Sequence, residues 1–186
     1  LDSFNQDKAA SKVKEMQDSG EIDKRKLFDF EINFKPNEQE FPINDYRSKF
    51  QDVIEKASRY SGAVMTIEGH SSPVRYLKTK FKMRQAGEVD TQRLKQIRQS
   101  ALNLSYRRAQ TVRKQIVRLA EQQGVALDES QFVTTGLGIK EPKTGMCGQD
   151  PCAPQTKAEW LSNMRVTFKM VRMKAEDDVF QPPNTW

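Results

Sequence analysis

Apolar and polar residues alternate in some segments of this chain and recur at helical spacing in others. Alternation or a short apolar run predicts four strands, at residues 28–34, 63–67, 131–135 and 164–170. Helical spacing predicts two helices, at residues 46–57 and 91–123, with Gly62 and Gly124 as C-terminal stops. The order strand, helix, strand, helix, strand, strand predicts an α/β sandwich, with a mixed four-stranded sheet and helices packed on one face.

The same pattern divides the chain into one domain with two extensions. Residues 1–25 are polar, with few apolar positions, which predicts a linker or a loosely attached helix. Residues 26–173 form the predicted domain; within it, 74–90 is a basic insertion of low periodicity and 140–160 a loop that carries both cysteines. Residues 174–186 are expected to be an extended tail. Because the chain begins at Leu1, we expect a fragment of a longer protein.

Composition excludes several classes of protein. The chain has 186 residues, 36% of them hydrophobic and 30% charged, and its mean hydropathy is −0.79. No apolar run approaches the roughly 18 residues that cross a bilayer, so the sequence predicts no membrane span. Nine glycines and eight prolines are too few for a collagen-like or low-complexity chain.

The positive charge is concentrated in one region. The chain has a net charge of +6 and a pI near 9.3, which by itself suggests nucleic acid as a partner. Residues 75–118, however, hold thirteen Lys or Arg and two acidic residues, a net +11, so the rest of the chain carries −5. The basic residues surround the predicted helix instead of forming one stripe, and aromatic side chains for base stacking are few there. Nucleic acid is therefore an unfavoured partner.

The two cysteines, Cys147 and Cys152, lie close together in a Pro-rich stretch. Two cysteines cannot build a zinc site alone, and the single histidine, His70, is distant in sequence. The spacing favours a small disulfide-closed loop, and hence an oxidising compartment, over two unpaired surface thiols. A loop this short contributes about 2 kcal/mol to stability, which stiffens the loop without holding the fold.

Catalytic motifs are not recognisable in the sequence. No Ser or Cys nucleophile is paired with a placed base, and one histidine cannot form a His-based metal cluster. Gly136-Leu137-Gly138 lacks the third glycine of a dinucleotide site. We expect no enzyme activity, no metal and no cofactor, and interpret His70 as a structural loop residue.

Four motifs together resemble the OmpA-like domain, the OmpA/MotB C-terminal family. They are Gly69-His70-Ser71-Ser72 after the second strand, residues 104–112 (LSYRRAQTV) on the long helix, Gly136-Leu137-Gly138-Ile139 with Pro142, and Asn163-Met164-Arg165-Val166. The resemblance covers roughly residues 28–173, with the motifs in the family's order. It implies a non-catalytic module in the periplasm, associated with the outer membrane through a parent protein, that binds peptidoglycan and anchors an envelope protein to the cell wall.

The resemblance also implies a ligand site for the diaminopimelate of the stem peptide. In the family an Arg on the helix holds the ligand carboxylate and an Asp after strand two holds its amino group; here these positions are Arg108 and Ser72. The implied ligand-binding set is Asn37, Ser71, Ser72, Leu104 and Arg108. Arg108 also falls in line with apolar helix positions, where an unpaired charge is costly and a carboxylate partner is expected.

Two departures from the family pattern leave two interpretations open. Ser72 brings no charge to an ammonium, and Ala101 stands where the family usually has Asn. Loss of one charge-assisted hydrogen bond costs about 1.5 to 3 kcal/mol. Peptidoglycan binding is then either retained in weakened form, with help from the basic insertion, or the pocket serves another ligand or a partner protein of the envelope.

Overall fold

The computed structural model describes residues 2–60 and 62–173, and the predicted extended tail lies outside the described residues. The helices are α1 (Asp2–Asp18), α2 (Glu21–Lys24), α3 (Ile43–Arg59), α4 (Val74–Gln85), α5 (Thr91–Gln122) and α6 (Lys157–Ser162). The strands are β1 (Lys26–Asn33), β2 (Ala63–His70), β3 (Phe132–Gly138), β4 (Met146–Cys147), β5 (Asp150–Pro151) and β6 (Arg165–Arg172).

Four strands form one mixed sheet in the order β1-β6-β2-β3. Strand β6 pairs antiparallel with β1 and with β2, while β2 and β3 run parallel. The parallel pair is joined across α4 and α5, as a crossover connection requires. The predicted fold class, a mixed four-stranded sheet with packed helices, is confirmed.

The main core lies between one face of the sheet and helices α3 and α5. Alternate strand residues such as Ile32, Met65 and Phe168 are completely buried on this face. The helices meet them with stripes at helical spacing, which are Phe50, Val53, Ile54 and Ala57 on α3 and Ala109, Val112, Ile116 and Ala120 on α5. The predicted strands and helices that build this core are all present, because each carried the full apolar period of its element.

Helix α1 covers part of the opposite face of the sheet, where the sequence predicted no packed helix. Val13 and Met16 are buried against Val64 and Val171, which point away from the main core. Ile22, in α2, completes this second cluster. The polar composition predicted a linker or a loosely attached helix here; in the structure, a few well-spaced apolar residues dock a mostly polar helix.

The sequence predicted a basic insertion of low periodicity at residues 74–90. In the structure, residues 74–85 of this insertion form helix α4. Only Tyr76 is buried among its residues, so the helix has little apolar periodicity for sequence reasoning to detect. The loop that follows ends at Asp90, whose side chain accepts a hydrogen bond from the backbone N–H of Arg93 and caps α5. Helices α4 and α5 therefore form a pair beyond the end of β2.

The cysteine loop contains a short hairpin, β4–β5, closed by the predicted disulfide between Cys147 and Cys152. Helix α6 follows and begins with a capping box formed by Thr156 and Glu159. The completely buried Asn163 then accepts a hydrogen bond from the backbone N–H of Lys143 at 2.6 Å, which fastens the loop to the start of β6.

Candidate functional site

A cavity of about 510 Å³ lies beyond the C-terminal end of β2, bordered by α4, α5 and the β1–α3 loop. All five residues of the ligand-binding set expected from the sequence line it: Asn37, Ser71, Ser72, Leu104 and Arg108. They come from three separate segments of the chain, so the tertiary fold brings them together. The volume is in the range of small-ligand sites.

Glycine and serine residues of the sequence motifs set the position of α5 over the strands. A Cβ on Gly69 would lie 1.8 Å from the backbone oxygen of Ser105, and one on Gly136 would lie 2.7 Å from that of Leu102. Only glycine allows such close contact between helix and strand backbones. The buried Ser105 hydroxyl accepts a hydrogen bond from the Gly138 N–H at 2.9 Å. These contacts fix the middle of α5 against the strands, next to the α5 residues that line the cavity, which run from Ile97 to Arg108.

Arg108 is the largest completely buried side chain in the described residues. Its guanidinium donates to three backbone carbonyls: Nε to Glu38 O at 2.9 Å, Nη2 to Lys35 O at 3.0 Å and Nη1 to His70 O at 3.4 Å. It also lies over the ring of Phe34, 5.1 Å from its centroid. The sequence predicted a ligand or partner carboxylate beside this cation; the hydrogen-bond partners that it has in the structure are backbone carbonyls.

Burial lowers the pKa of Arg108 from 12.5 to about 10, and the nearby Glu38 carboxylate opposes this change. The guanidinium therefore keeps its charge at neutral pH. Each Nη nitrogen carries two hydrogens, and one hydrogen on each serves the carbonyls described above. A buried cation thus lies at the base of the cavity. Its guanidinium has hydrogens left to donate to a ligand that displaces the residues around it.

Asn37 lies in the tight turn that supplies two of these carbonyls. Pro36 and Asn37 are the central residues, Asn37 has a φ of 59°, and the Glu38 N–H donates to Lys35 O. Proline followed by an Asn at positive φ is a favourable sequence for such a turn. The turn therefore presents Asn37 to the cavity and its carbonyls to Arg108.

The two serines after β2 differ in their availability. Ser71 is buried, and its hydroxyl donates to Ala101 O on α5 at 2.9 Å. The Ser72 hydroxyl is partly exposed and accepts from the Val74 N–H at 3.3 Å, at the start of α4. Ser71 thus ties β2 to the long helix, whereas Ser72 can donate its own proton into the cavity.

Helix α4 adds cavity residues that the sequence analysis did not single out. Arg75, Tyr76, Lys78 and Thr79 line the cavity from this side, and Trp160 lines it from α6. Basic residues were noted in this insertion, but a helix that buries one side chain gives too weak a signal to assign which of them face inward. Among the described lining residues none is acidic.

Asp150 fastens the cysteine loop to the helices beside the cavity. Its carboxylate accepts from Tyr76 Oη at 2.9 Å and from Lys80 Nζ at 2.6 Å. Arg98 donates to the same Tyr76 hydroxyl at 2.8 Å and stacks on its ring. These partners lower the pKa of Asp150, the Lys80 hydrogen bond most. The network stabilises the tyrosine that forms one wall of the cavity.

His70 lies on the second face of the sheet, away from the cavity. Its ring is buried and lies 3.4 Å from the Thr167 hydroxyl. Burial, followed by the charge of Arg165, lowers the pKa of His70 from 6.5 to about 3. A histidine that stays neutral at physiological pH and faces away from the cavity is consistent with a structural role. The sequence placed His70 in a loop after the second strand, whereas it is the last residue of β2 and pairs with Gly138.

In the described part of the chain, no group of His, Cys, Asp or Glu is arranged to hold a metal ion. Within the same residues, no helix has the length and apolar character that a membrane span needs.

No protein-family model matches the chain, and no curated protein matches it. Solved structures do. The peptidoglycan-associated lipoprotein from Burkholderia pseudomallei is 16% identical over 75% of this chain and 88% of its own, with a TM-score of 0.49. A periplasmic domain of Helicobacter pylori MotB is 14% identical over 80% of this chain and 75% of its own, with a TM-score of 0.48. The cell wall anchor of the T6SS from Pseudomonas aeruginosa is 16% identical over 78% of this chain and 81% of its own, with a TM-score of 0.47. The function is therefore inferred from the cavity and its residues.

Proposed function

We propose that this chain is a non-catalytic module of the bacterial envelope that binds peptidoglycan through the cavity beyond β2 and anchors a larger protein to the cell wall. One observation carries the proposal: the five residues that the motif resemblance selects, from three segments, all line the same cavity. If the motifs matched by chance, there would be no reason for these five residues to lie around one cavity.

The chemistry of the cavity fits a stem peptide. A diaminopimelate residue offers carboxylates, and Arg108, Arg75 and Lys78 give the cavity a cationic lining. Leu104 and Ile97 provide apolar contacts for the carbon chain of the ligand. Arginine is well suited to carboxylates because its planar donors match the two carboxylate oxygens.

Co-sedimentation with purified peptidoglycan sacculi tests the proposal. We expect the protein to pellet with sacculi and to remain in the supernatant without them. Arg108→Ala is expected to abolish pelleting, but this side chain also holds the Lys35–Glu38 turn. Arg108→Ala therefore tests binding and structure at the same time, and a second variant is needed to separate the two effects.

Ser100→Trp provides that separation. Ser100 is exposed on α5 and lines the cavity, so an indole there occupies ligand space without removing a buried contact. Gln110→Trp is the matched control, because Gln110 is exposed on the same helix and does not line the cavity. We expect Ser100→Trp to reduce affinity at least about tenfold and Gln110→Trp to leave it unchanged. Equal binding by both variants would place the site elsewhere, and no pelleting by the parent protein would refute the proposal.

A further inference from the structure

The geometry points to a cavity that recognises the carboxylate of the wall peptide and does not use its free amine, so that it accepts stem peptides whose diaminopimelate amine is acylated. This inference rests on the proposed function and narrows it to a ligand chemistry. An acylated amine is the form in which two stem peptides are joined, so the ligand class includes cross-linked peptide.

The charge of the cavity is of one sign. Arg75 and Lys78 of α4 line it together with the buried Arg108, and the described lining residues include no carboxylate. An ammonium that enters such a site loses hydration, and the charged residues that line the cavity are all positive, which disfavours the charged amine. Ser72 can offer an ammonium at most one neutral oxygen, which already accepts the Val74 N–H.

Two acidic residues that contact the surroundings of the cavity, Asp150 and Glu38, do not line it. Asp150 is held by Lys80 and by Tyr76 Oη, on the side of the cysteine loop. Glu38 gives its backbone carbonyl to Arg108, while the residue itself is exposed on the turn and is not among the lining residues. Neither residue lines the cavity, and the Asp150 carboxylate is already bonded to Lys80 and Tyr76.

Donors for a carboxylate are, by contrast, present on several sides. Helix α4 begins at the cavity with no side-chain cap and no acidic residue in its first turn. Apart from the Val74 N–H, which the Ser72 hydroxyl accepts, the first-turn N–H groups of α4 therefore favour an anion at this end. The Ser72 hydroxyl and the remaining hydrogens of Arg108 add further donors. Acylation of the ligand amine removes its positive charge, which is the feature of the ligand that these surroundings disfavour.

Three peptide probes test the inference by calorimetry. The first is the tripeptide L-alanyl-γ-D-glutamyl-meso-diaminopimelate, the second is the same peptide acetylated at the side-chain amine, and the third is amidated at the carboxylate beside that amine. We expect the acetylated probe to bind as tightly as the first or tighter, and the amidated probe to bind at least about tenfold more weakly.

A gain-of-charge variant provides the complementary test. Ser72→Asp places a carboxylate in the cavity, and we expect it to make the unmodified probe bind at least about fivefold more tightly than the acetylated one. Ser48→Asp, at an exposed position of α3 away from the cavity, is the control for the added charge and is expected to leave the order of the probes unchanged.

The outcomes separate the inference from the proposed function. If the parent protein pellets with sacculi but acetylation weakens the probe tenfold or more, the inference is overturned and the wall-binding function stands. The same holds if amidation has no effect. If no probe binds and the protein does not pellet with sacculi, both are overturned. Binding of the acetylated probe with loss on amidation supports the inference.

Discussion

Arg108 combines a structural role with its place in the proposed site. An isolated buried cation is costly, yet here it is compensated by three carbonyls, two of them from one turn about 70 residues earlier in the chain. The side chain therefore fixes the β1–α3 turn against the long helix. Any ligand that binds Arg108 acts on a residue that already organises its own surroundings.

Arg108→Ala is expected to lower the free energy of unfolding by about 3 kcal/mol, because it leaves buried carbonyls without donors and opens a void. Urea denaturation followed by circular dichroism measures the change. Arg107→Ala is the control, since Arg107 is exposed on the same helix and its loss is expected to cost less than about 0.5 kcal/mol. A similar, small effect of both substitutions would contradict the role of Arg108 in holding the turn.

His70 predicts a loss of stability in mild acid. The unfolded chain binds a proton at this histidine below about pH 6.5, whereas the folded protein keeps it neutral until about pH 3. Falling pH therefore favours the unfolded state, and we expect a loss of about 2 kcal/mol between pH 7 and pH 5. Urea titrations at pH 7, 6 and 5 measure it.

His70→Gln isolates this contribution, because glutamine has no charge to gain over that range. Burial raises the pKa of Glu68, which acts in the opposite direction near pH 5 but is shared by both proteins. The difference in pH dependence between parent and variant is therefore due to the histidine. Parallel curves would show that the His70 pKa is not lowered in the folded protein.

At the scale of single residues, the motif resemblance selected five of the residues that line the cavity, but not those of α4 and not all of the partners of the five. The position of Arg108 follows from its place in the apolar stripe of α5. Its carbonyl partners do not, because side-chain patterns carry no record of which backbone groups a distant turn brings near. The same holds for Ser71, whose hydroxyl is bonded to the backbone of Ala101.

Helix α5 and strand β2 meet through backbone contact at Gly69. We expect Gly69→Ala to destabilise the protein by on the order of 3 kcal/mol, because the added methyl group would lie 1.8 Å from Ser105 O and the helix would have to move. Thermal and urea unfolding both report this change. Gly62→Ala is the matched control: its Cβ would meet nothing within 4 Å, and we expect little effect. Equal stabilities for the two variants would show that the contact is not tight.

At the scale of elements, strong periodicity decided what the sequence could predict. Strands β1, β2 and β6 and helices α3 and α5 were predicted because each places an apolar stripe on the main core, whereas β3 contributes only Phe132 to it. Helix α4 was not, because it buries one tyrosine and is held by Asp150 from the cysteine loop. Its other apolar contacts, from Leu77 and Met83, are only partly buried, so the helix has little local signal. The cavity wall that α4 supplies was therefore missed with it.

At the scale of the whole molecule, the sheet is covered on both faces but unequally. The main core holds eighteen buried residues and the cluster under α1 five, within the described chain. This second cluster stabilises the fold without contributing to the cavity, since no described cavity residue belongs to α1. Stability and the proposed binding are therefore separable.

Met16→Ala tests this separation. We expect a loss of about 2 kcal/mol in the free energy of unfolding, because the side chain is 95% buried against the second face of the sheet. Binding to sacculi at a temperature where the variant remains folded is expected to be unchanged. Lys14→Ala, at an exposed position of the same helix, is the control. Reduced sacculus binding by folded Met16→Ala protein would show that α1 influences the site.

The strand order has a consequence for how the chain acquires its structure. Strand β6 is the last of the strands in sequence, yet it lies between β1 and β2, and it is the partner through which β1 joins the sheet. During synthesis β1 must wait for more than a hundred residues before its neighbour exists. Such distant pairing slows folding, to milliseconds or seconds in domains of high contact order. The four-stranded sheet therefore cannot be completed until residues 165–172 have been made.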